Sequence, residues 1–284
     1  MIRVRFPVEV PHKPFLKTFF PMIGAIIGDI VGSRFEFNSK GLEPGFALFT
    51  EDCSFTDDTI CTIAIAAAIL NHKDYAESLR HWCRKYPDPM GGYGGYFREW
   101  VMDDEAPANP SWGNGAAMRI SPVGWLFNDY HEMLDQAKAA TLCSHNHPEA
   151  VRGAQCVATL IYWIRNGRIT KEQVENKMLK HFKYEMPDLK DIMRIGRNGH
   201  FDSSCQETVP WGVRCFVESN TFEEALRNAV LARGDTDTKA AITCSIAEAF
   251  YRIPDNIIAK ALTYLPADII SVLEQFCDRV RGNV

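Results

Sequence analysis

Residues 60–70 (ICTIAIAAAIL) are apolar on every side except Thr62. An all-round apolar run of this length predicts a buried central helix, and its alanines admit close neighbours. Residues 240–250 (AAITCSIAEAF) predict a second small-residue helix of the same kind. Pro148 opens another, running through Val157, Leu160 and Ile164 and stopping near Gly167, with proline in the first turn and glycine past the end. Thr170 with Gln173, and Thr221 with Glu224, are capping-box pairs that start two more, the second ending at Gly234. After Pro254, the rows Ile257, Ile258, Ala261, Leu262 and then Ile269, Ile270, Leu273, Phe276 recur at helical spacing. Past residue 20 no run alternates with period two. Residues 1–21, with Pro7, Pro11 and Pro14 among alternating basic and apolar positions, read as an extended arm. Without a linker or a fixed-period repeat, residues 22–284 are expected to form one all-α domain of orthogonally packed helices.

Composition narrows the setting. The 284 residues are 46% apolar, enough for a large core. A formal net charge of -5 argues against nucleic acid as a partner, since such binders carry a basic stripe. Nine cysteines, an odd count with no CxxC pair, suggest reduced thiols and a cytoplasmic protein. Basic residues before the apolar run 19–27 resemble a signal peptide, but Pro21, the early Asp29 and the lack of a small-residue cleavage site argue against one. No apolar stretch approaches the ~20 residues that span a bilayer, so no membrane association is expected.

The chemistry concentrates at two helix starts. Residues 55–59 (FTDDT) immediately precede the first buried helix, and residues 234–238 (GDTDT) precede the other small-residue helix. Thr and Asp suit N-capping, because their oxygens accept from orphan amides and their charge complements the helix dipole. One cap needs one side chain, however, and each cluster offers two acids. Four carboxylates beside buried helices repel one another unless cations neutralise them. The donors are all oxygens, with no Cys or His interleaved, which selects hard cations such as Mg²⁺, Mn²⁺ or Ca²⁺ over zinc. Four negative charges match two divalent ions, and a two-metal site suits hydrolysis.

Other segments read as loops around these clusters. The glycine-punctuated stretch 28–36 (GDIVGSRFE) ends on Glu36, either a solvated surface acid or a contact to metal or water as general base. In residues 91–95 (GGYGG) and 113–119 (GNGAAMR), glycine implies positive φ or close approach to a ligand, and exposed amides there suit phosphate oxygens. Neither matches a P-loop or a dinucleotide fingerprint. His145 and His147, in SHNHP, lack metal-ligand spacing, which leaves hydrogen bonding to a ligand phosphate or hydroxyl, or capping. His12, His72, His81, His131, His181 and His200 have no such company.

Taken together, GAIIGDIVGSRFEF, FTDDT, GYGG, GNGAAMRISPVGW, SHNHPEA, DSSCQETVP and GDTDTKAAITCSIAEAF, running from Gly24 to about Pro254, resemble the ADP-ribosylglycohydrolase family, which includes the dinitrogenase-reductase-activating glycohydrolases. The resemblance implies an all-α fold with a buried binuclear Mg²⁺ or Mn²⁺ centre held by Thr56, Asp57, Asp58, Asp235, Asp237 and Thr238. It implies that ADP-ribose lies along Gly113, Asn114, Gly115, Ala116 and Met118, near His145 and the loop bearing Tyr93, with its terminal ribose facing the metals. Glu36 would be a loop acid near the metals, Asp58 would serve catalysis, and Asp88 would face a leaving guanidinium. The implied reaction is hydrolysis of the N- or O-glycosidic bond joining ADP-ribose to a protein side chain, arginine first among the candidates, through an oxocarbenium-like transition state attacked by activated water. The expected partner is ADP-ribose or an ADP-ribosylated protein, and a monomer is expected. A two-metal phosphoester or nucleotide hydrolase and a non-catalytic ADP-ribose-binding relative are the alternatives. Arg233 departs from the family pattern, replacing the first of two glycines before the second acidic cluster, where it can contact a phosphate or hinder the site. The arm before Met22 also lies outside the pattern.

Overall fold

The computed structural model describes residues 20–282. The expected N-terminal arm therefore lies almost wholly outside the described residues. These form fourteen α-helices. The first four are α1 (Ile23–Gly32), α2 (Asp57–Asn71), α3 (Tyr75–Lys85) and α4 (Gly95–Met102). Next come α5 (Ser121–Leu126), α6 (Tyr130–Leu142), α7 (Pro148–Arg165), α8 (Val174–Phe182) and α9 (Leu189–Arg197). The rest are α10 (Cys205–Val217), α11 (Phe222–Leu231), α12 (Thr236–Phe250), α13 (Asp255–Leu262) and α14 (Ala267–Gly282). Among the described residues no strand forms; isolated backbone bridges pair Thr56 with Met90, Asn109 with His145, and Gly113 with Ser204. No helix among them is long and apolar enough to cross a membrane.

The apolar runs at 60–70 and 240–250 become α2 and α12, and α12 is buried from Thr236 through Glu248. The glycine-punctuated segment read as a loop is instead helical as far as Gly32, followed by a single 3₁₀ turn, Ser33–Phe35. Its glycines recur every four residues, which in a helix puts them on one face. That face is pressed against α12. A Cβ on Gly28 would lie 2.2 Å from the Ala240 carbonyl oxygen, and one on Gly24 2.4 Å from that of Cys244. At Gly32 the added atom would meet the Asp237 Cα at 2.6 Å. Any side chain on this stripe would force the two backbones apart.

The α1–α12 pair is also joined by a side-chain hydrogen bond. Glu248, buried in the last turn of α12, accepts from the Gly24 amide at 3.0 Å and so caps α1. Helices α10, α11 and α7 surround α12, and α3 and α14 cover α2. Thr221 caps α11 by accepting from the Glu224 amide at 3.0 Å; the reciprocal Glu224 carboxylate bonds the Asn220 amide at 2.8 Å, one position outside the expected box. The helix ends at Leu231, three residues short of Gly234, because Arg233 and Gly234 take φ of 58° and 68° and turn the chain into α12.

Gly28→Ala is expected to overpack the α1–α12 contact, lowering stability by about 1–3 kcal/mol and the Tm by several degrees. Gly94→Ala, where an added Cβ meets nothing within 4 Å and φ is -54°, is expected to leave the Tm nearly unchanged. Thermal unfolding of both variants checks the contrast.

Candidate active site

The start of α2 is capped mainly from another helix. Asp29, wholly buried in α1, accepts from the Thr56 amide at 2.9 Å, the Thr56 hydroxyl at 2.8 Å, the Thr59 amide at 3.0 Å and the Thr59 hydroxyl. The Thr56 oxygen itself accepts from the Asp58 amide at 3.2 Å. Capping is therefore done by Asp29 and Thr56, and the Asp57 and Asp58 carboxylates are left for other work. Burial raises the Asp29 carboxyl to about 6, against the opposing pull of its hydrogen bonds to Thr56 and Thr59. Sequence reasoning missed this residue as part of the site. The available signal was an acid inside an otherwise apolar helix, which has to find partners.

The second cluster is held from several sides. Asn114 donates through Nδ2 to Asp235 Oδ2 at 2.7 Å and to Thr208 Oγ1 at 3.0 Å. The Thr236 hydroxyl donates to the Gly32 carbonyl at 2.8 Å, fastening the start of α12 to the end of α1. Asp237 Oδ1 accepts from the Thr238 amide at 3.0 Å. The Thr238 hydroxyl reaches Asp58 Oδ2 at 3.2 Å, joining the two clusters that are far apart in sequence.

These residues fit hard divalent cations. Asp58 Oδ1 is buried with no hydrogen-bond partner, an arrangement that normally costs a few kcal/mol unless something fills it. Carboxylate oxygens of Glu36, Asp235 and Asp237 lie within 4.8 Å of one another. Burial, followed by repulsion among neighbouring acids, pushes Glu36 up to about 8. Asp58 and Asp237 are driven well above the usual carboxylate range, chiefly by burial and then by neighbouring carboxylates, and Asp57 by burial and then by Cys61 and neighbouring acids. Thr56 gives its hydroxyl hydrogen to Asp29 and one lone pair to the Asp58 amide, so a second lone pair is all it can offer a cation.

Above the acids opens a cleft of about 360 Å³. One wall is the loop of residues 91–95, where Gly91 and Gly92 take φ of 79° and 78°. A Cβ on Gly91 would sit 2.6 Å from a Glu36 carboxylate oxygen. Tyr93 lines the cleft but turns its hydroxyl back to the Tyr86 carbonyl at 2.7 Å. Another wall is the turn around Asn114, pinned by its amide to the Ser203 carbonyl at 2.8 Å. Neither glycine of this turn needs positive φ; the φ of Gly113 is -63°. Gly115 serves close approach instead, since a Cβ there would lie 3.0 Å from His145 Nε2. Met118 lines the cleft with its sulfur 3.8 Å from the Thr238 hydroxyl, whereas Ala116 is buried behind the turn.

The two histidines separate. His145 lines the cleft, while the His147 Nδ1 accepts from the Glu149 amide at 3.1 Å and caps α7. Asp88 is not brought to this cleft: its carboxylate is 80% exposed and, among the described residues, pairs with Arg98 at 3.5 Å. Arg233 also points elsewhere, donating to the Leu42 carbonyl at 3.0 Å, so its guanidinium neither blocks the acids nor stands at the Asn114 turn. Phe37 and Phe201, stacked with centroids 5.8 Å apart, and the buried Arg119 join the cleft lining without having been singled out in the sequence.

The chain is similar to known proteins over most of its length. The chain is 22% identical over 328 residues to "ADP-ribosylhydrolase ARH3" of Bos taurus, covering 88% of this chain and 90% of that protein. It is 24% identical over 258 residues to "ADP-ribosyl-[dinitrogen reductase] glycohydrolase" of Rhodospirillum rubrum, covering 82% and 85%. A solved structure titled "ADP-ribosylglycohydrolase-related protein complex" shares the fold with a TM-score of 0.67 at 22% identity, covering 93% of this chain and 96% of that one. The family model described as ADP-ribosylglycohydrolase matches residues 21–283. With only the first twenty residues and the last one left unmatched, the chain belongs to the ADP-ribosylglycohydrolase family.

Proposed function

We propose that this protein is a metal-dependent hydrolase that removes ADP-ribose from modified protein side chains, with arginine the first acceptor to test. The observation that carries the reading is the unpartnered Asp58 Oδ1 beside the converging Glu36, Asp235 and Asp237 carboxylates. Thr56, Asp57, Asp58, Asp235, Asp237 and Thr238 would hold two Mg²⁺ or Mn²⁺ ions. Bound there, such ions supply Lewis acidity and offset the carboxylate charge.

The protein's own groups account for the rest. The acid-lined floor favours positive charge, as an oxocarbenium-like transition state requires. Glu36, between that floor and the loop of residues 91–95, is placed to take a proton from water. The turn from Gly113 to Met118 and His145 would seat the oxygens of ADP-ribose, the group after which the relatives are named. Nine free cysteines fit a cytoplasmic protein, and a net charge of -5 fits one with no nucleic-acid partner.

Purified protein is expected to release free ADP-ribose from arginine-ADP-ribosylated substrate only with Mg²⁺ or Mn²⁺, and an Asp57→Ala/Asp237→Ala double variant to lose roughly 100-fold or more of the rate. Release from serine-linked substrate alone would change the acceptor. Released phosphate would point to a phosphoesterase, and tight ADP-ribose binding without turnover to a reader.

The raised acids also give a stability signature. Glu36 keeps its proton up to about 8 in the folded state, against 4.5 ordinarily, so the folded state binds more protons between those values. Its contribution is present at low pH and is lost as pH rises through about 8. In EDTA the Tm should therefore fall as pH is raised from about 5 to about 9, and saturating Mg²⁺ should flatten the decline. A metal-free Tm that rises with pH would contradict the assignment.

A further inference from the structure

Arg119 is completely buried, and no carboxylate pairs with it among the described residues. Its Nη2 donates to the Ala140 carbonyl at 2.9 Å and to Ser144 Oγ at 2.7 Å. Its Nε and Nη1 find no oxygen or nitrogen acceptor. Leaving guanidinium donors unmatched in the interior is unfavourable, so what the group does hold calls for a reason.

The reason lies in the direction of the bonds. Ser144 Oγ is 2.8 Å from His145 Nδ1, and besides these two groups only the Cys143 thiol comes within reach of the hydroxyl among the described residues. A guanidinium can only donate, so Oγ accepts from Arg119, and the hydroxyl hydrogen goes to Nδ1, a much better acceptor than the Cys143 sulfur. A ring nitrogen that accepts carries no hydrogen, so in a neutral ring the hydrogen sits on Nε2. That atom is the one turned toward the Asn114 turn, where a Cβ on Gly115 would be only 3.0 Å away. Phe97 flanks the ring, with centroids 6.0 Å apart.

We propose that Arg119 is a positioning residue of the cleft: acting through Ser144, it fixes His145 as the neutral tautomer with hydrogen on Nε2, presented as a donor to an anionic or hydroxyl oxygen of the ligand. Neutrality has a separate support, because burial and then the nearby Arg119 bring the imidazole down to about 3. A neutral donor in front of a buried guanidinium attracts an anion without the desolvation that a cation in direct contact would demand. Gly115 leaves the space that keeps the donor accessible. The identity of the acceptor as an ADP-ribose oxygen rests on the proposed function; the tautomer does not.

The test is nitrogen NMR of imidazole-labelled wild type, metal-free and ligand-free, with His145 assigned through His145→Gln. A protonated Nε2 and an accepting Nδ1 are expected; the opposite tautomer, or an imidazolium at neutral pH, would overturn the relay. Calorimetry with ADP-ribose and Mg²⁺ then reads its consequence. Ser144→Ala should blur the single-tautomer pattern and weaken binding roughly fivefold, the worth of about one neutral hydrogen bond, and Ser144→Thr should restore both. Unchanged resonances and affinity in Ser144→Ala would also overturn it. If the wild type shows the Nε2 hydrogen yet does not bind ADP-ribose, the functional reading fails and the relay stands.

Discussion

Asp29 accepts hydrogen bonds from both the amides and the hydroxyls of Thr56 and Thr59, and the arrangement of the acidic floor follows from that contact. A buried carboxylate is tolerated only when its lone pairs are filled, and the start of a helix offers the unmatched donors that fill them. Because the cap comes from α1, the two acids of the first cluster are spared capping duty. Helix α1 is in turn placed by α12, through the glycine stripe and through Glu248 on its first amides. Three helix starts are thus tied in sequence: α12 positions α1, α1 positions α2, and the Thr238 hydroxyl closes the circuit on Asp58.

The cleft built on this frame has two characters. Its floor gathers Glu36, Asp57, Asp58, Asp235 and Asp237, while Arg119, Ser144 and His145 reach it from other segments. Acids without counter-charge hold protons, as the raised Glu36 shows, and a divalent cation competes with those protons. A donor set backed by a guanidinium prefers anionic or hydroxyl oxygens. The proposed ADP-ribose, with its ribose at the floor and its diphosphate at the donors, would satisfy both.

What was legible in the sequence was what is local. The two acidic helix starts stand out because paired acids directly before an apolar run violate ordinary burial. The helices α2, α7 and α12 announce themselves by periodicity or all-round apolarity. The segment after Gly24 was misread because glycine every four residues looks like loop punctuation until the partner helix is known. Asp29 escaped notice because its partners lie 27 and 30 positions away. The Arg119–Ser144–His145 relay was hidden for the same reason, since nothing in the MRIS segment or in SHNHP shows that the two meet. Asp88 was placed by analogy alone and stands exposed, and Arg233, suspected of interfering, instead adopts the left-handed turn and bonds Leu42.

The claim most open to direct measurement is that Asp29, which is buried behind the floor, sets the geometry that binds cations. Titrating Mn²⁺ into wild type and Asp29→Asn, with electron paramagnetic resonance counting bound ions, tests it. The account predicts two ions in the wild type, and in Asp29→Asn a loss of at least roughly tenfold in affinity, because one of the two capping oxygens becomes a donor. Two ions bound by Asp29→Asn with wild-type affinity would contradict it.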